Sequence, residues 1–501
     1  MQLLGSYVFT DPKGELYDKT AGYFKAKGYD IKVLNLVHPK NSDGYNPLHH
    51  INNEIDVDVI ANTIVKGQGE SKSSDPFWDD MAEMLMKALI YYLKATRPLE
   101  EQSLASCSEL VRTANSSGGD NLLTNLMNQL PIEHPARKNY KNIEMLPEKT
   151  FGSVLGTLQS KLGKFDSREI AEVTSTNTID FPEIAKKKTA VYVISSDTHT
   201  AYDFLLTIFF SQMIQQLYDF ADLSGGELPI PTYFILDEFA NIGQIPDFDK
   251  KISTSRSRKI SFSVILQNLD QLEAVYKESY ETIIGNCDTH VFLGSNSQKT
   301  VEYFSKALGE KTITRDNVSV NKDREDWKQG KSESDQIMGR ALMTPDELRR
   351  MDNDLCIIYE KGIKPIKANK YYYFKYPEGK LVNRYKLDHN DVQIERGLWR
   401  IYNPYNPYVE GQEENSGGAQ NSLESLDDLF DDDLDKDTSK ETVTVGANTN
   451  NVSSSKPSTM AQDITDSKEN DEKDAARQAE LLDIQKELEA KFDELFGSID
   501  D

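Results

Sequence analysis

Tyr233-Phe234-Ile235-Leu236-Asp237-Glu238 decides how this chain is read. Four apolar or aromatic residues ending in two carboxylates read as a buried parallel strand with an acidic C-terminal end. Such an end suits phosphoryl transfer: one carboxylate organises Mg²⁺ and its waters, and the other polarises an attacking water. A hydrophobic strand running into an acidic surface turn is spelled the same way. On its own, the string leaves both readings open.

The residues after Glu238 add weight to the chemical reading. Ala240-Asn241-Ile242-Gly243 comes next, then Ser255-Arg256-Ser257-Arg258. A second strand, Phe262-Ser263-Val264-Ile265-Leu266, then ends in Gln267. An acidic strand end, an arginine pair and a strand-end amide, in that order, are what a nucleotide-driven machine requires. The bland alternatives are a solvated surface turn for the arginines and a satisfied core amide for Gln267.

Working outward, Ser6-Tyr7-Val8-Phe9-Thr10 predicts a strand that delivers Asp11-Pro12-Lys13-Gly14-Glu15 to a turn and then a helix. Ile31-Lys32-Val33-Leu34-Asn35-Leu36 predicts another strand, followed by a polar loop and Tyr45-Asn46-Pro47-Leu48. From about residue 53 to 181 the pattern turns helical. Phe77, Met81, Leu85, Ala88 and Tyr92 share one helical face, with Asp75 as N-cap, Pro76 at the first helical position and Pro98 closing the far end. This apolar stripe reads as core rather than as a ligand pocket. Strands alternating with helices resume at Ala190-Val191-Tyr192-Val193-Ile194, with a helix over about 200–221 and a strand His290-Val291-Phe292-Leu293. The alternation predicts a mainly parallel sheet in an α/β domain. Leu355-Cys356-Ile357-Ile358-Tyr359 and Lys370-Tyr371-Tyr372-Tyr373-Phe374 read as late strands, a hairpin across Gly362.

The formal net charge is −25, but residues 411–501 carry 25 acidic and 8 basic side chains. The other 410 residues therefore hold only −8, so any DNA contact has to be a local basic lining. The tail reads as disordered, with an apolar patch at Leu423, Leu426, Leu429 and Phe430 and a helical stripe at Leu481, Ile484, Leu488, Phe492 and Leu495. Each island is either transient helix without a role or a docking segment for a partner. Cys107, Cys287 and Cys356 lie too far apart for a metal-ligand spacing and read as reduced, mostly buried thiols. His49-His50 has no acidic or cysteine partner at a metal-binding interval and reads as a loop feature. No window approaches the ~18–20 apolar residues of a membrane span, and the start carries no signal-peptide pattern.

Taken together, these residues resemble the coupling proteins of bacterial conjugation and type IV secretion, the TraG-type conjugative DNA transfer ATPases. The resemblance runs over most of residues 5–375. It rests on Ser6 to Leu16, Tyr45-Asn46-Pro47-Leu48, Phe77-Trp78, Ile235 to Gly243, the Arg256/Arg258 segment, Gln267 and Leu342-Met343-Thr344-Pro345-Asp346-Glu347-Leu348. It implies a RecA-like P-loop NTPase core over residues 1–60 and 186–405, an inserted all-α domain over 61–185, and an acidic tail over 406–501 with a short amphipathic helix near 474–496. It also implies ATP and Mg²⁺ as cofactors, a hexamer on the cytoplasmic side of the bacterial membrane, and partners in a relaxase–single-stranded DNA complex and the secretion channel. In that frame Asp237 and Glu238 are the Walker B pair, Asp237 supporting Mg²⁺ through water and Glu238 orienting the hydrolytic water. Arg256 resembles the arginine finger reaching a neighbouring subunit, Arg258 is the second candidate, and Gln267 resembles the γ-phosphate or water sensor. Lys13 and Glu15 resemble a second-strand motif near the nucleotide pocket, without a defined role.

The chain departs from the family pattern at its start. No glycine-cradled phosphate loop ending in Lys-Ser/Thr occurs, and neither does the apolar anchor that precedes it in the family. The expectation is a coupling protein lacking its front portion, whether by a shortened gene model, a split gene whose other part encodes the membrane and P-loop segment, or a genuine truncation. A sheet missing that strand is expected to have a gap beside the acidic strand, with unpaired backbone, poor solubility and little ATP hydrolysis. Two other functions fit parts of the sequence. One is an ATPase-inactive cargo adaptor, which leaves Asp237, Glu238, Arg256 and Gln267 without a purpose. The other is an FtsK-like DNA pump, disfavoured by the long helical insert and Pro345-Asp346-Glu347-Leu348.

Overall fold

The computed structural model describes residues 3–67, 75–114, 121–196, 202–321 and 330–405. The chain divides into two compact units, 1–415 and 416–501, and every described residue belongs to the first. The two apolar islands expected in the tail lie outside the described residues.

The first part runs β1 (Ser6–Thr10), α1 (Glu15–Ala26), β2 (Asp30–Asn35), then α2 (Glu54–Lys66), α3 (Phe77–Thr96), α4 (Leu104–Thr113), α5 (Leu122–Asn128), α6 (Pro135–Glu144), α7 (Glu148–Leu162), α8 (Arg168–Ser175) and α9 (Phe181–Lys186). The middle is β3 (Thr189–Ile194), α10 (Asp203–Leu223), β4 (Thr232–Leu236), α11 (Phe248–Thr254), β5 (Ile260–Val264), α12 (Leu269–Tyr276), α13 (Tyr280–Asn286) and β6 (Thr289–Phe292). The last part is α14 (Gln298–Leu308), β7 (Glu310–Asn321), β8 (Gly330–Ala341), α15 (Pro345–Arg349), β9 (Leu355–Glu360), β10 (Ile366–Asn369) and α16 (Pro377–Val382).

Five strands form an all-parallel sheet in the order β2-β3-β1-β4-β5. The apolar alternation of β1 explains why both faces are covered. Val8 belongs to a large core with Val191, Phe234 and helices α2, α3, α4, α7 and α10. Tyr7 and Phe9 face the other way, onto Tyr17, Ala21 and Phe24 of α1. A strand buried on both faces needs no polar positions, and every residue of β3 is buried. The α/β architecture with a mainly parallel sheet is the one the sequence predicts.

Local chemistry sets the helix starts. Asn53 and Asp56 close a reciprocal capping box at α2, and Thr344 and Glu347 do the same at α15. At α3 the helix begins at Phe77. Pro76 is the cap, and Asp75 Oδ1 accepts the Phe77 N–H at 3.0 Å from one position further out than expected. Between β2 and β3 the described residues hold helices and no strand.

Four expectations need correction. The acidic strand β4 has no gap beside it, because β1 pairs along one edge and β5 along the other. The edge strands of this sheet are β2 and β5 instead. β6 does not join the parallel sheet: it pairs antiparallel with β9, and β10, β9 and β6 form a second sheet over a small core of Phe292, Val301, Phe304, Leu348 and Ile357. The hairpin across Gly362 exists, but its second strand is Ile366–Asn369. The aromatic run after it leaves the ladder for a 3₁₀ turn at Tyr373–Lys375. Finally, β7 and β8 form a long antiparallel hairpin that the sequence pattern does not predict. Its strands are dominated by charged and small polar residues, so the hydrophobic alternation that marks a strand is absent.

Candidate active site

Parallel register aligns the carboxyl ends of three strands, with Thr10 opposite Leu236 and Leu236 opposite Val264. In open parallel sheets, ligands bind outside this edge. Asp237 is the first residue beyond β4. Its carbonyl accepts the Thr10 hydroxyl at 2.6 Å, and its Oδ1 accepts the Glu238 N–H at 3.2 Å. Burial pushes the Asp237 carboxyl above its ordinary range, and the adjacent Glu238 charge adds to the shift.

Glu238 occupies the left-handed region at φ 49°, ψ 47°. Non-glycine residues there are uncommon and gather at functional sites. The turn that imposes this conformation is fastened on both flanks. Phe239 donates to the Ile265 carbonyl at 3.1 Å, Asn241 donates to the Glu238 carbonyl at 2.8 Å, and the Thr207 hydroxyl holds the Ile242 carbonyl at 2.7 Å. Phe239 itself is buried against Phe248 and Tyr276, with ring centroids at 5.0 and 5.6 Å. Gly243, at φ 82°, ends the turn where a side chain would be strained.

Gln267 stands just past β5 on the same edge. Its Nε2 donates to Glu238 Oε1 at 2.8 Å, and its own N–H donates to Gln271 Oε1 at 3.2 Å. The acid and the strand-end amide singled out in the sequence are therefore in direct contact. Asp237 and Glu238 lie side by side, half-buried, and among the described residues neither forms an ion pair. Two adjacent carboxylates without a cation partner, one with a raised pKa, suit a divalent cation held directly or through water.

The arginines sit elsewhere. The 3₁₀ turn Arg256–Arg258 precedes β5, so the length of that strand separates it from Gln267, on the order of 15 Å. Arg256 is 94% exposed, with Asp288 Oδ2 at 4.0 Å. Arg258 is tied down: Nε and Nη2 donate to Asp222 Oδ1 and Oδ2 at 3.0 and 3.1 Å, and its guanidinium lies 4.7 Å from the Tyr218 ring centre. Neither arginine reaches the acidic pair of its own chain.

Lys13 and Glu15 follow β1 at the carboxyl edge of the sheet. Asp11, almost fully buried, accepts the Tyr17 N–H at 2.8 Å and shapes the turn that Gly14 completes at φ 74°. Glu15 pairs with Lys19 at 2.6 Å, which holds its carboxyl below the usual range, and it is not engaged with the acidic pair. The sequence reading missed Thr10 and Thr207, whose hydroxyls fix the acidic turn. A threonine closing an otherwise apolar strand was the available signal for Thr10. It also passed over Asp203, which borders a cavity of 270 Å³ lined by Leu36, Val37, Ser195, Ser196, Tyr202 and Leu206. Burial raises the Asp203 carboxyl to about 6.

A parallel sheet with an acid pair, a strand-end amide and a left-handed turn at its carboxyl edge makes this an α/β protein of RecA-like fold. The trigonal form of the conjugative coupling protein TrwBΔN70, in complex with sulphate, shares this fold. Its TM-score is 0.54 at 14% identity, covering 73% of this chain and 78% of that one. The unbound monoclinic form gives 0.51 at 14% identity, over 75% and 87%. TrwB in complex with ADP and Mg²⁺ gives 0.50 at 13% identity, over 74% and 87%.

The sequence model of the family described as Type IV secretory system Conjugative DNA transfer matches residues 1–395, and the chain belongs to that family. Similar proteins include VirD4 of Rhizobium radiobacter, 24% identical over 382 residues, and the conjugal transfer protein TraG of Escherichia coli, 26% identical over 410 residues. Each alignment covers 74% of this chain, against 53% of VirD4 and 64% of TraG. The chain thus spans about half the length of the VirD4 relatives it matches. No helix among the described residues is long and apolar enough to cross a membrane.

Proposed function

We propose that this chain is the motor body of a type IV secretion coupling protein. It would receive a relaxase–single-stranded DNA complex and drive its cargo into the secretion channel by ATP hydrolysis. The observation that carries the proposal is the Gln267–Glu238 contact at 2.8 Å, formed at the carboxyl edge of a parallel sheet beside Asp237.

In this reading Asp237 would hold Mg²⁺ through water, and the ion would supply positive charge to the phosphates. Glu238, oriented by Gln267, polarises the water that attacks the γ-phosphate. Gln267 reports the presence of that phosphate through its second N–H. Arg256, exposed and free to leave Asp288, serves the site of a neighbouring subunit in a ring, where positive charge at the transferring phosphoryl group is worth ~10³–10⁵ in rate in other NTPases. Arg258 positions the turn that presents it. Asp11, Lys13 and Glu15 border the same edge.

Mating tests the proposal. The element that encodes the chain is transferred from donors carrying the parent or the Glu238→Gln protein, with equal levels confirmed by immunoblot. The motor reading requires transfer to fall by at least ~10²-fold in the variant. Transfer at the parental frequency would instead make the chain a cargo adaptor without a hydrolytic role.

A further inference from the structure

After β10 the chain turns away at Lys370, whose N–H donates to the Asp354 carbonyl at 2.7 Å, and runs into Tyr371-Tyr372-Tyr373-Phe374-Lys375-Tyr376. These rings are not core. Tyr371 is 64% exposed and Phe374 55%, and Tyr373, Tyr376 and Tyr385 are exposed as well. They also stand close together. Tyr371 and Tyr376 stack with ring centres at 4.3 Å, and Phe374 lies 5.6 Å from Tyr372 and 5.8 Å from Tyr373. Exposed apolar surface gathered in one place marks an interaction site.

The charge around these rings opposes that of the whole chain. Residues 361–387 hold 8 basic side chains against one acidic, Glu378, in a protein of formal net charge −25. Lys375 reaches over the Tyr372 ring at 4.5 Å, and the Tyr372 hydroxyl donates to Asp354 Oδ1 at 2.7 Å. Among the described residues, Lys375, Lys380, Arg384 and Lys386 form no ion pair. Helix α1 holds the segment in place. The Leu387 N–H donates to the Asp18 carbonyl at 3.2 Å, and a side chain at Gly22 would collide with the Tyr385 carbonyl. Tyr23 of α1 sets its ring 6.1 Å from that of Tyr385, and Lys27 continues the row at 5.5 Å over Tyr23.

Cations interleaved with stackable rings fit one ligand chemistry: a flexible polyanion whose flat bases are free to stack. An acidic protein offers charge without flat faces, and a duplex keeps its base faces covered. We propose that residues 370–386, with Tyr23 and Lys27 of α1, form a platform for single-stranded nucleic acid. Bases stack on the exposed rings of Tyr371, Phe374 and Tyr385, and Lys375, Lys380, Arg384 and Lys386 carry the phosphates. That the strand is DNA rests on the motor reading of this chain. The platform itself rests on the rings and charges.

Fluorescence anisotropy of the full chain with a labelled oligomer of about 20 thymidines tests it. Tyr371→Ala combined with Phe374→Ala should weaken binding at least ~tenfold, whereas Tyr371→Phe should retain it. Lys375→Gln, Lys380→Gln and Lys386→Gln in one protein should flatten the slope of log affinity against log salt by about 2. A duplex of equal length should bind at least ~tenfold more weakly than the single strand. Thermal melting confirms that each variant folds. Unchanged affinity in the double ring variant, or equal affinity for duplex, overturns the proposal. So does loss of binding to phosphatidylserine vesicles in the ring and lysine variants with oligomer binding intact, which would make the patch a membrane contact. The mating test is read apart. Transfer lost in Glu238→Gln, with oligomer binding untouched by the ring substitutions, keeps the motor and removes the platform. The reverse pair of results keeps the platform and removes the motor.

Discussion

Gln267 and Glu238 are 29 residues apart in the chain and meet at 2.8 Å, amide to carboxylate, where β5 and β4 end. The contact fixes the side chain of an acid whose backbone is already locked in a left-handed turn. Gln267→Ala should leave the Glu238 carboxylate free to rotate. In ATPase assays we expect kcat to fall by ~10–10²-fold with the KM for ATP changed less than about threefold. A rise in KM alone would mean that Gln267 binds substrate rather than orienting the acid.

The acidic pair costs stability, and its sign can be tested. A carboxyl raised in the folded state favours folding while protonated, and that contribution is lost as pH climbs through the folded pKa. Asp237 is raised by burial first and by the Glu238 charge second. Glu238→Gln removes that charge and keeps the carbonyl acceptor for Gln267. Melting at pH 7 should rise by about 1 °C, and the gain should shrink as acid protonates Asp237. A lower Tm at pH 7 would contradict the like-charge account.

His50 should make the fold acid-sensitive. It stacks on Phe181 at 4.1 Å, bonds Asn177 at 2.8 Å, and burial lowers its pKa to about 4. A base depressed in the folded state contributes stability above its unfolded pKa, near 6.5, and loses it as pH falls toward 4. The difference amounts to roughly 3 kcal/mol. Urea titrations at pH 7 and pH 4.5 should therefore show a steeper loss in the parent than in His50→Gln. Parallel pH profiles would remove His50 from this role.

The two arginines should separate by assay. Arg258→Ala loses the paired bonds to Asp222 and the Tyr218 ring, and should cost about 1 kcal/mol in denaturant unfolding. Among the described residues the Arg256 side chain pairs with Asp288 at 4.0 Å, so Arg256→Ala should leave stability unchanged, while cutting ATP hydrolysis ~10³-fold under the proposed role in a neighbouring subunit's site. Equal effects of both on stability alone would make the segment structural.

Thr10 is a stability prediction of its own. Its hydroxyl is the donor to the Asp237 carbonyl at 2.6 Å, so Thr10→Val leaves that oxygen short of a partner. The expected cost is about 1 kcal/mol, seen as a lower urea midpoint with unchanged m-value.

Much of this site was legible because its residues announce themselves at strand ends. The run from Tyr233 to Glu238 and the one closing at Gln267 carry apolar stretches whose last residue changes character, and the structure aligns them by parallel register. Direction and register do not appear in a one-dimensional pattern. The expected gap beside the acidic strand was wrong for that reason: β1 satisfies one edge of β4 and β5 the other. His290 to Leu293 likewise read as one more parallel strand, whereas β9 captures it in the opposite sense. The β7–β8 hairpin was invisible because its strands lack the apolar alternation that marks a strand in sequence.

Whether Glu238 is the water-activating acid of an ATP-driven motor is tested most directly by steady-state ATP hydrolysis with single-stranded DNA. The proteins compared are the parent and Glu238→Gln. Turnover should be at least ~10²-fold lower in the variant, with ATP affinity retained. Equal turnover in the two proteins would contradict the role assigned to Glu238.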